Sequence, residues 1–352
     1  MAWLLLLLAL LAVAACVALV RRGHPAYPHS PHFDAARQIN VNPQQLRGVT
    51  LLDGATGLLK MLQRDGQYGP AALLPTVSPD WPLFLKNDNT PRFIWFGHST
   101  LLMRLGMQTV AVDPVLGPSV SPLTVNMRRF QPPAALLADW PQPDVVLLSH
   151  NHYDHFEEHT LRALAQTPAH FIVPLGLGAY LKPLGVADIT ELDSWQHAQR
   201  GDLRITLVPA FQTSGRSLSD GARSFWGGFV LQHGGETIYY SGDSAYGPHF
   251  AEIGRRFPDL GIAFVENGQY DRRWPDNHMF PEQTAQAAAD VKPSRVMPVH
   301  WGHHRDRPTG RTLHKPGANG CSLVRIALAP IRRCRSTSER RDASTPADPT
   351  PG

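Results

Sequence analysis

The heptapeptide Ser149-His-Asn-His-Tyr-Asp-His155 constrains this chain more than any other stretch in it. Its histidines follow directly on Val145–Ser149, which reads as a short buried strand. Glu157–Gln166 then reads as a helix with acidic residues in its first turn. In an extended segment residues two apart share a face, so His150 and His152 can approach one ion together. Asp154 and His155 sit at the turn into the helix and point elsewhere, which suits a second ion. Imidazole and carboxylate are appropriate zinc ligands. Two metals roughly 3.5–4 Å apart can share a nucleophile and a bridging carboxylate. A solvated polar loop is the ordinary fate of a lone histidine. Three histidines and an aspartate straight after a buried strand argue against it.

The surrounding pattern is that of a layered α/β domain. Phe93–Phe96 is a compact apolar strand, and Leu101–Leu105 with Thr109–Val112 forms a hairpin about Gly106-Met-Gln108 that Asp113-Pro114 ends. Further strands are expected at Phe171–Val173, Leu203–Val208, Phe225–Leu231, Thr237–Ser241, Leu260–Val265 and Arg295–Val299. Pro281–Val291 reads as an amphipathic helix with proline at its start. These elements set a folded α/β domain at residues 91–304. Residues 23–90, rich in His, Pro, Asn and Gly, read as an extended arm with a short helical piece at Leu58–Leu62. Residues 305–352, rich in Arg, Ser, Thr and Pro, read as a disordered basic tail.

Charge follows the same division. The net charge is +4, but the tail from Arg305 onward holds ten Lys/Arg against four Asp/Glu. The body is therefore slightly acidic and is not a nucleic-acid-binding surface. The three cysteines, Cys16, Cys321 and Cys334, lie outside the central region, so neither a disulfide framework nor a cysteine zinc knuckle holds it. Residues Ala2–Val20 carry no charge and close on Arg21-Arg22. Their nineteen residues span roughly 28 Å as a helix, about one bilayer core. Residues 1–22 are thus expected to be a transmembrane or signal-anchor segment. The arginine pair after the span favours a cytoplasmic domain, and a cleaved signal would instead make it periplasmic or extracellular.

The motif and its flanks resemble the metallo-β-lactamase superfamily. Phe96-Gly-His-Ser-Thr100, Asp113-Pro114, Trp226-Gly-Gly228, Ser241-Gly-Asp243, His278-Met-Phe-Pro-Glu282 and Pro298-Val-His-Trp-Gly302 are similar to one branch of it. That branch contains the N-acylphosphatidylethanolamine-hydrolysing phospholipase D. The resemblance covers roughly residues 90–302 and implies a four-layer αββα sandwich with a site at one edge of its two sheets. Residue by residue, it implies His150 and His152 on a first zinc, Asp154, His155 and His300 on a second, and Asp243 bridging both. The local text agrees: Asp243 lies in a glycine-containing turn after one strand, and His300 ends another.

One ligand of the family pattern is missing. The segment Pro209-Ala-Phe-Gln-Thr-Ser-Gly-Arg216 matches the family's Pro-Ala-x-His-x-Ser-x-Arg, with Gln212 where a histidine is usual. An amide oxygen is a weaker zinc ligand than imidazole. The first of two zinc sites is therefore expected to be weakened, with a single-metal enzyme or another divalent metal as alternatives. Gln212→His is expected on this basis to raise zinc occupancy and activity. His197, His233 and His249 are the histidines that could stand in. The stretch after Gly302 also departs from the family. His303-His-Arg-Asp-Arg-Pro replaces an apolar run and a helix, through lineage divergence or a shifted reading frame, and no catalytic residue is expected beyond His304.

The resemblance implies a zinc-dependent hydrolase, a phosphodiesterase of phospholipase D type acting on N-acylphosphatidylethanolamine-like phospholipids. Asp154, Asp243 and His278 are its expected catalytic residues. His98 and Arg216 are candidates for substrate contact or for supporting the ligands. A membrane-anchored enzyme works beside lipid headgroups, which suits that substrate. A lactonase, another carbonyl-directed metal hydrolase and a tethered protein with a degenerate metal site are the other readings. A phosphate-binding P-loop and a Gly-x-Ser-x-Gly nucleophile elbow are both absent from the sequence.

Overall fold

The computed structural model describes residues 27–34, 39–40, 73–120, 128–217, 220–268, 270 and 276–301. The expected membrane segment, the helical piece at Leu58–Leu62 and the basic tail lie outside these residues. Among the described residues, no helix is long and apolar enough to cross a membrane. The described part of the arm supplies a two-stranded ribbon, β1 (Phe33–Asp34) against β2 (Ile39–Asn40). It also supplies a short helix, α1 (Trp81–Phe84), whose N-cap Asp80 accepts from the Leu83 amide at 2.9 Å.

Two six-stranded sheets follow, and within each of them neighbours in space are neighbours in the chain. In the first, β3 (Arg92–Trp95), β4 (Leu101–Leu105) and β5 (Gln108–Val112) run antiparallel. Then β6 (Val145–Leu147), β7 (His170–Pro174) and β8 (Ile189–Leu192) continue parallel. In the second, β9 (His197–Arg200), β10 (Leu203–Val208), β11 (Gly228–His233) and β12 (Glu236–Tyr240) are antiparallel. The last two, β13 (Ile262–Glu266) and β14 (Arg295–Val299), add parallel to β12.

The inner faces share one core. Leu101, Met103, Val110 and Leu147 of the first sheet meet Ile205, Phe229, Ile238 and Phe264 of the second. The outer face of the first sheet, with Leu102, Val146 and Phe171, is covered by α2 (Glu158–Leu164) and α3 (Gly178–Leu181). The outer face of the second, with Val230, Tyr239 and Val265, is covered by α4 (His249–Arg256) and α5 (Pro281–Val291). The order is helix, sheet, sheet, helix, as the resemblance implied. Strands covered on both faces need apolar side chains in both directions, which is why they read as continuous runs rather than alternations. Arg104 is the exception inside β4. It is buried, and its Nη1 donates to the Met107 carbonyl (2.7 Å) and to Thr109 Oγ1 (2.9 Å).

Helix ends follow their caps. Glu157 caps α2 by accepting from the His159 and Thr160 amides. Pro281 opens α5, where no helical amide donor is needed. A Cβ on Gly254 of α4 would lie 2.5 Å from the Asp290 carbonyl, so glycine lets α4 approach α5.

Several boundaries differ from the sequence reading. The strand expected at Val145–Ser149 stops at Leu147, because the Ser149 amide leaves the ladder to bond Asp113 Oδ1 at 2.7 Å. The strand expected from Phe225 begins at Gly228, where any Cβ would collide with the Tyr240 carbonyl at 2.4 Å. β8 and β9 went unread because their residues are mostly polar and partly exposed. Neither carries the apolar signal that marks an interior strand.

Candidate metal centre

The residues that matter stand at strand ends along one edge of the sandwich. His98 follows β3, Asp113 follows β5, and the motif 149–155 follows β6. Asp243 follows β12, Glu266 ends β13 and His300 follows β14. His98, Asp113 and His300 all have positive φ, at 51°, 39° and 68°. That conformation is unfavourable for residues other than glycine and is found where surrounding structure holds it. Here backbone bonds hold it. The His98 amide donates to the Trp301 carbonyl (2.8 Å), the His300 amide to the His98 carbonyl (2.8 Å) and the Asp113 amide to the Leu147 carbonyl (2.9 Å).

Asp243 is the hub. Its Oδ2 lies 3.0 Å from His155 Nε2, 3.1 Å from His300 Nε2 and 3.6 Å from His150 Nε2. His150 Nε2 is in turn 2.8 Å from His152 Nδ1. Asp154 Oδ2 lies 3.0 Å from His98 Nε2, 3.6 Å from His300 Nε2 and 4.0 Å from His155 Nε2. The structure thus brings together His150, His152, Asp154, His155, Asp243 and His300, the six ligand candidates read from the sequence.

The donor set fits a bound cation. His155 Nε2, both ring nitrogens of His300 and Asp243 Oδ1 are buried without a hydrogen-bond partner. Polar atoms in such positions are rare in folded proteins unless something else satisfies them. Charge points the same way. Burial opposes a charged imidazole at His300, yet Asp243 and Asp154 hold its pKa up at about 10. Burial also disfavours the Asp243 carboxylate, but His155 and His300 keep it well below the usual range. The carboxylates thus favour positive charge beside Asp243, which a divalent metal would supply in place of protons. Burial and the neighbouring His300 push His98 down to about 4, despite its contact with Asp154.

A second layer fixes the first, and sequence reasoning missed it. The Asp113 carboxylate accepts from His155 Nδ1 (2.7 Å), Ser149 Oγ (2.6 Å), the Ser149 amide (2.7 Å) and the Tyr240 hydroxyl (2.5 Å). With its Nδ1 proton engaged, His155 presents a bare Nε2 to the hub. Glu266, fully buried, accepts from His278 Nδ1 (2.9 Å) and from the Met279 amide (2.5 Å). Burial raises its pKa. Both acids close an apolar strand, and that abrupt charge was the available signal.

The remaining candidates take definite places. His98 braces Asp154. His278 stacks on His300 at a ring separation of 5.1 Å. Arg216 does not face the hub: its Nη1 donates to the carbonyls of Asn151 (3.0 Å) and Phe156 (2.7 Å), its Nη2 contacts Glu158 at 3.3 Å, and its guanidinium lies 4.0 Å over the Tyr153 ring. It ties down both ends of the histidine loop, the supporting role that the sequence offered for it beside substrate contact. Gln212 is fully buried, its Oε1 accepting from the Thr213 amide (3.0 Å) and its Nε2 donating to the Asn277 carbonyl (3.3 Å).

Neither His197, His233 nor His249 joins a ligand group among the described residues. His197 lies on the exposed β9 edge beside Arg204, and His233 packs over Gly106. His249 Nε2 is 3.0 Å from Ser244 Oγ, and its ring lies against Phe211 and Phe250. Burial lowers the His249 pKa to about 3. An unfolded chain takes up a proton there near pH 6.5 while the folded chain does not, so stability falls as pH drops from about 6.5 toward 3. His249→Leu is expected to flatten that acid limb, as read by urea unfolding at pH 7 and pH 5. An unchanged slope would remove His249 as its source.

Comparison with known proteins comes to the same place. Residues 108–301 match the family described as "Beta-lactamase superfamily domain". An uncharacterised protein of Mycobacterium tuberculosis is 34% identical over 286 residues, covering 79% of this chain and 76% of that one. The mitochondrial N-acyl-phosphatidylethanolamine-hydrolyzing phospholipase D of Saccharomyces cerevisiae is 29% identical over 219 residues, 59% of this chain and 47% of the yeast protein. Among solved structures, an isothiocyanate hydrolase from Delia radicum gut bacteria superposes with a TM-score of 0.50 at 17% identity, covering 60% of this chain and 85% of that one. That last likeness concerns the fold alone. A match over more than half of the chain, on a two-sheet sandwich whose strand ends gather these clusters, makes this protein a member of the beta-lactamase superfamily, among its metal-dependent hydrolases.

Proposed function

We propose that this protein is a zinc-dependent phosphodiesterase of phospholipase D type, acting on N-acylphosphatidylethanolamine-like phospholipids. The observation that carries the reading is the hub: three imidazole nitrogens converge on Asp243 Oδ2, with buried lone pairs left unsatisfied. The yeast relative and a Caenorhabditis elegans relative, 28% identical over 233 residues, are both named for N-acyl-phosphatidylethanolamine hydrolysis. The apolar stretch Ala2–Val20 would keep the domain beside lipid headgroups, on the cytoplasmic side by the Arg21-Arg22 rule.

In this reading His150 and His152 would hold a first metal and Asp154, His155 and His300 a second, with Asp243 as the ligand common to both. Zinc so held would supply Lewis acidity, polarising a phosphoryl oxygen and easing the deprotonation of water. The chain's own groups do the rest. Asp113 keeps the His155 proton on Nδ1, and His98 fixes Asp154 so that its carboxylate can take the proton of the attacking water. Arg216 holds the loop that carries four of the ligands.

The test joins metal analysis and turnover on one sample of full-length protein. Two equivalents of zinc are expected, with cleavage of a bis-aryl phosphodiester well above that of a phosphomonoester or a lactone. Under one zinc per several chains together with no phosphodiester turnover would end the enzyme reading. Preferential lactone turnover would move the protein to carbonyl-directed hydrolysis.

A further inference from the structure

The part of the arm nearest the expected membrane span is fastened to the edge of the sandwich that carries the metal centre. Tyr27 packs edge-on against Phe225 at a ring separation of 5.7 Å, and His32 Nδ1 lies 3.2 Å from Asp193 Oδ1. Both partners belong to that edge. Asp193 follows β8, and the Phe225 amide donates to the carbonyl of Leu175, just after β7, at 2.7 Å. The Gly227 amide donates to the carbonyl of Ser149, at the head of the histidine motif, at 3.1 Å. Tyr27 stands five positions after Arg22, at most about 18 Å of extended chain. With Ala2–Val20 in a bilayer, so short a lead leaves this edge of the sandwich beside the headgroups. The opposite end of the strands lies a strand length farther off, roughly 17 Å for the five residues of β5.

The same edge offers apolar surface to its surroundings. Leu73 and Val77 are 68% and 86% exposed, yet the backbone between them is fixed. Gln131 accepts from the Leu74 amide (2.8 Å) and donates to Thr76 Oγ1 (3.2 Å). Gln131 also lines a groove of about 630 Å³, with Leu116, Phe130, Pro132 and Pro133 in its walls and the exposed Arg128 beside them. Arg129 fastens the groove to the loop after β5, its guanidinium donating to the carbonyls of Val115 and Gly117. That loop begins at Asp113, the anchor of His155. Because β5, β6, β7 and β8 run parallel in that order, the groove and the docked arm stand on either side of the histidine motif at one end of the sheet. Grouped apolar side chains held at the surface mark a place of contact. A cation among them is the pattern of a surface that lies on phospholipid.

We propose that this end of the sandwich is the membrane face of the protein, with Leu73, Val77 and the groove in the headgroup layer of a phospholipid leaflet and Arg128 against lipid phosphate. The Tyr27–Phe225 and His32–Asp193 contacts then act as a latch that holds the metal centre toward the bilayer. The inference rests on the membrane-segment reading of Ala2–Val20 and is independent of which bond the centre cleaves. The short lead from Arg22 and the charge of Arg128 select the leaflet itself as the occupant of this face.

The experiment uses full-length protein carrying Cys16→Ser, Cys321→Ser and Cys334→Ser, with one new cysteine at Leu73→Cys, Val77→Cys or Met107→Cys. Each is labelled with an environment-sensitive fluorophore and reconstituted into phosphatidylcholine–phosphatidylglycerol vesicles, with or without brominated acyl chains. Met107 is the control, 60% exposed in the turn between β4 and β5 at the opposite end of the sheet. Circular dichroism verifies the fold. Labels at 73 and 77 are expected to shift to the blue and to be quenched by brominated lipid, and the label at 107 to do neither. Arg128→Glu should weaken docking at position 77 about fivefold, the worth of one basic residue at an anionic surface. The proposal is overturned if the labels at 73 and 77 stay unquenched: unshifted emission would put this end in water, and shifted emission would mean that the chain's own residues cover it. It is equally overturned if 107 is quenched as strongly as 77, or if Arg128→Glu changes nothing. Protein that does not enter the vesicles would sink the membrane-segment reading and this inference with it. Zinc content and phosphodiester turnover on the same samples decide the hydrolase reading separately.

Discussion

Asp243→Asn is expected to strip the protein of tightly held zinc and of activity together. Oδ2 of Asp243 is the atom on which His150, His155 and His300 converge, so the substitution removes the one negative charge common to both halves of the centre. Loss of an outer partner typically weakens metal binding about 10–100-fold. Loss of the shared ligand should exceed that range, with kcat/KM reduced by more than about 1000-fold, or roughly 4 kcal/mol of transition-state stabilisation. Equilibrium dialysis with metal analysis and steady-state kinetics on a phosphodiester read both quantities. An asparagine variant that retains two zinc ions would place the hub elsewhere.

Asp113→Ala is expected to have the largest effect on stability. It leaves His155 Nδ1, Ser149 Oγ, the Ser149 amide and the Tyr240 hydroxyl without their shared acceptor, all of them in the interior. Breaking a buried charged pair costs about 3–5 kcal/mol. At about 2–4 °C per kcal/mol for a domain of this size, Tm should fall by roughly 6–20 °C. Zinc affinity should fall about 10–100-fold at the same time, because His155 loses the group that fixes its ring. Thermal unfolding of metal-free and zinc-loaded protein separates the two effects. A Tm within about 2 °C of wild type, less than the shift expected from 1 kcal/mol, would mean that Asp113 is not what anchors the motif.

Much of the centre was legible because its chemistry is concentrated in residue types with few other uses at the end of a buried strand. His150, His152, Asp154 and His155 announce themselves in one short stretch, and Asp243 and His300 stand where strands end. Asp113 and Glu266 were not read as part of the site. A single carboxylate after an apolar run looks like turn punctuation, and only the fold shows that it turns inward. Arg216 was visible as a cation without a destination, since the carbonyls it binds lie some sixty residues earlier in the chain. The partner of Gln212 is likewise distant in sequence, at Asn277, so that contact had no local signature. The two-sheet architecture was readable from its interior strands. β8 and β9 were not, because partly exposed polar strands are defined by their neighbours' hydrogen bonds more than by their own residues.

The bridge between His98 and Trp301 carries a consequence for how the protein is made. It joins the loop after the first strand of one sheet to the residue after the last strand of the other, and the Trp95 and Trp301 rings pack across it at 4.8 Å. The joined residues are roughly two hundred positions apart, so this closure belongs to the slow, non-local class of contacts. During synthesis the ribosome must release the chain past Trp301 before His300 can meet Asp243. Until then the early histidines lack their final partner. The ligand cluster is therefore completed only with the last strand, and a chain ending short of His300 would lack one of the three imidazoles that meet Asp243.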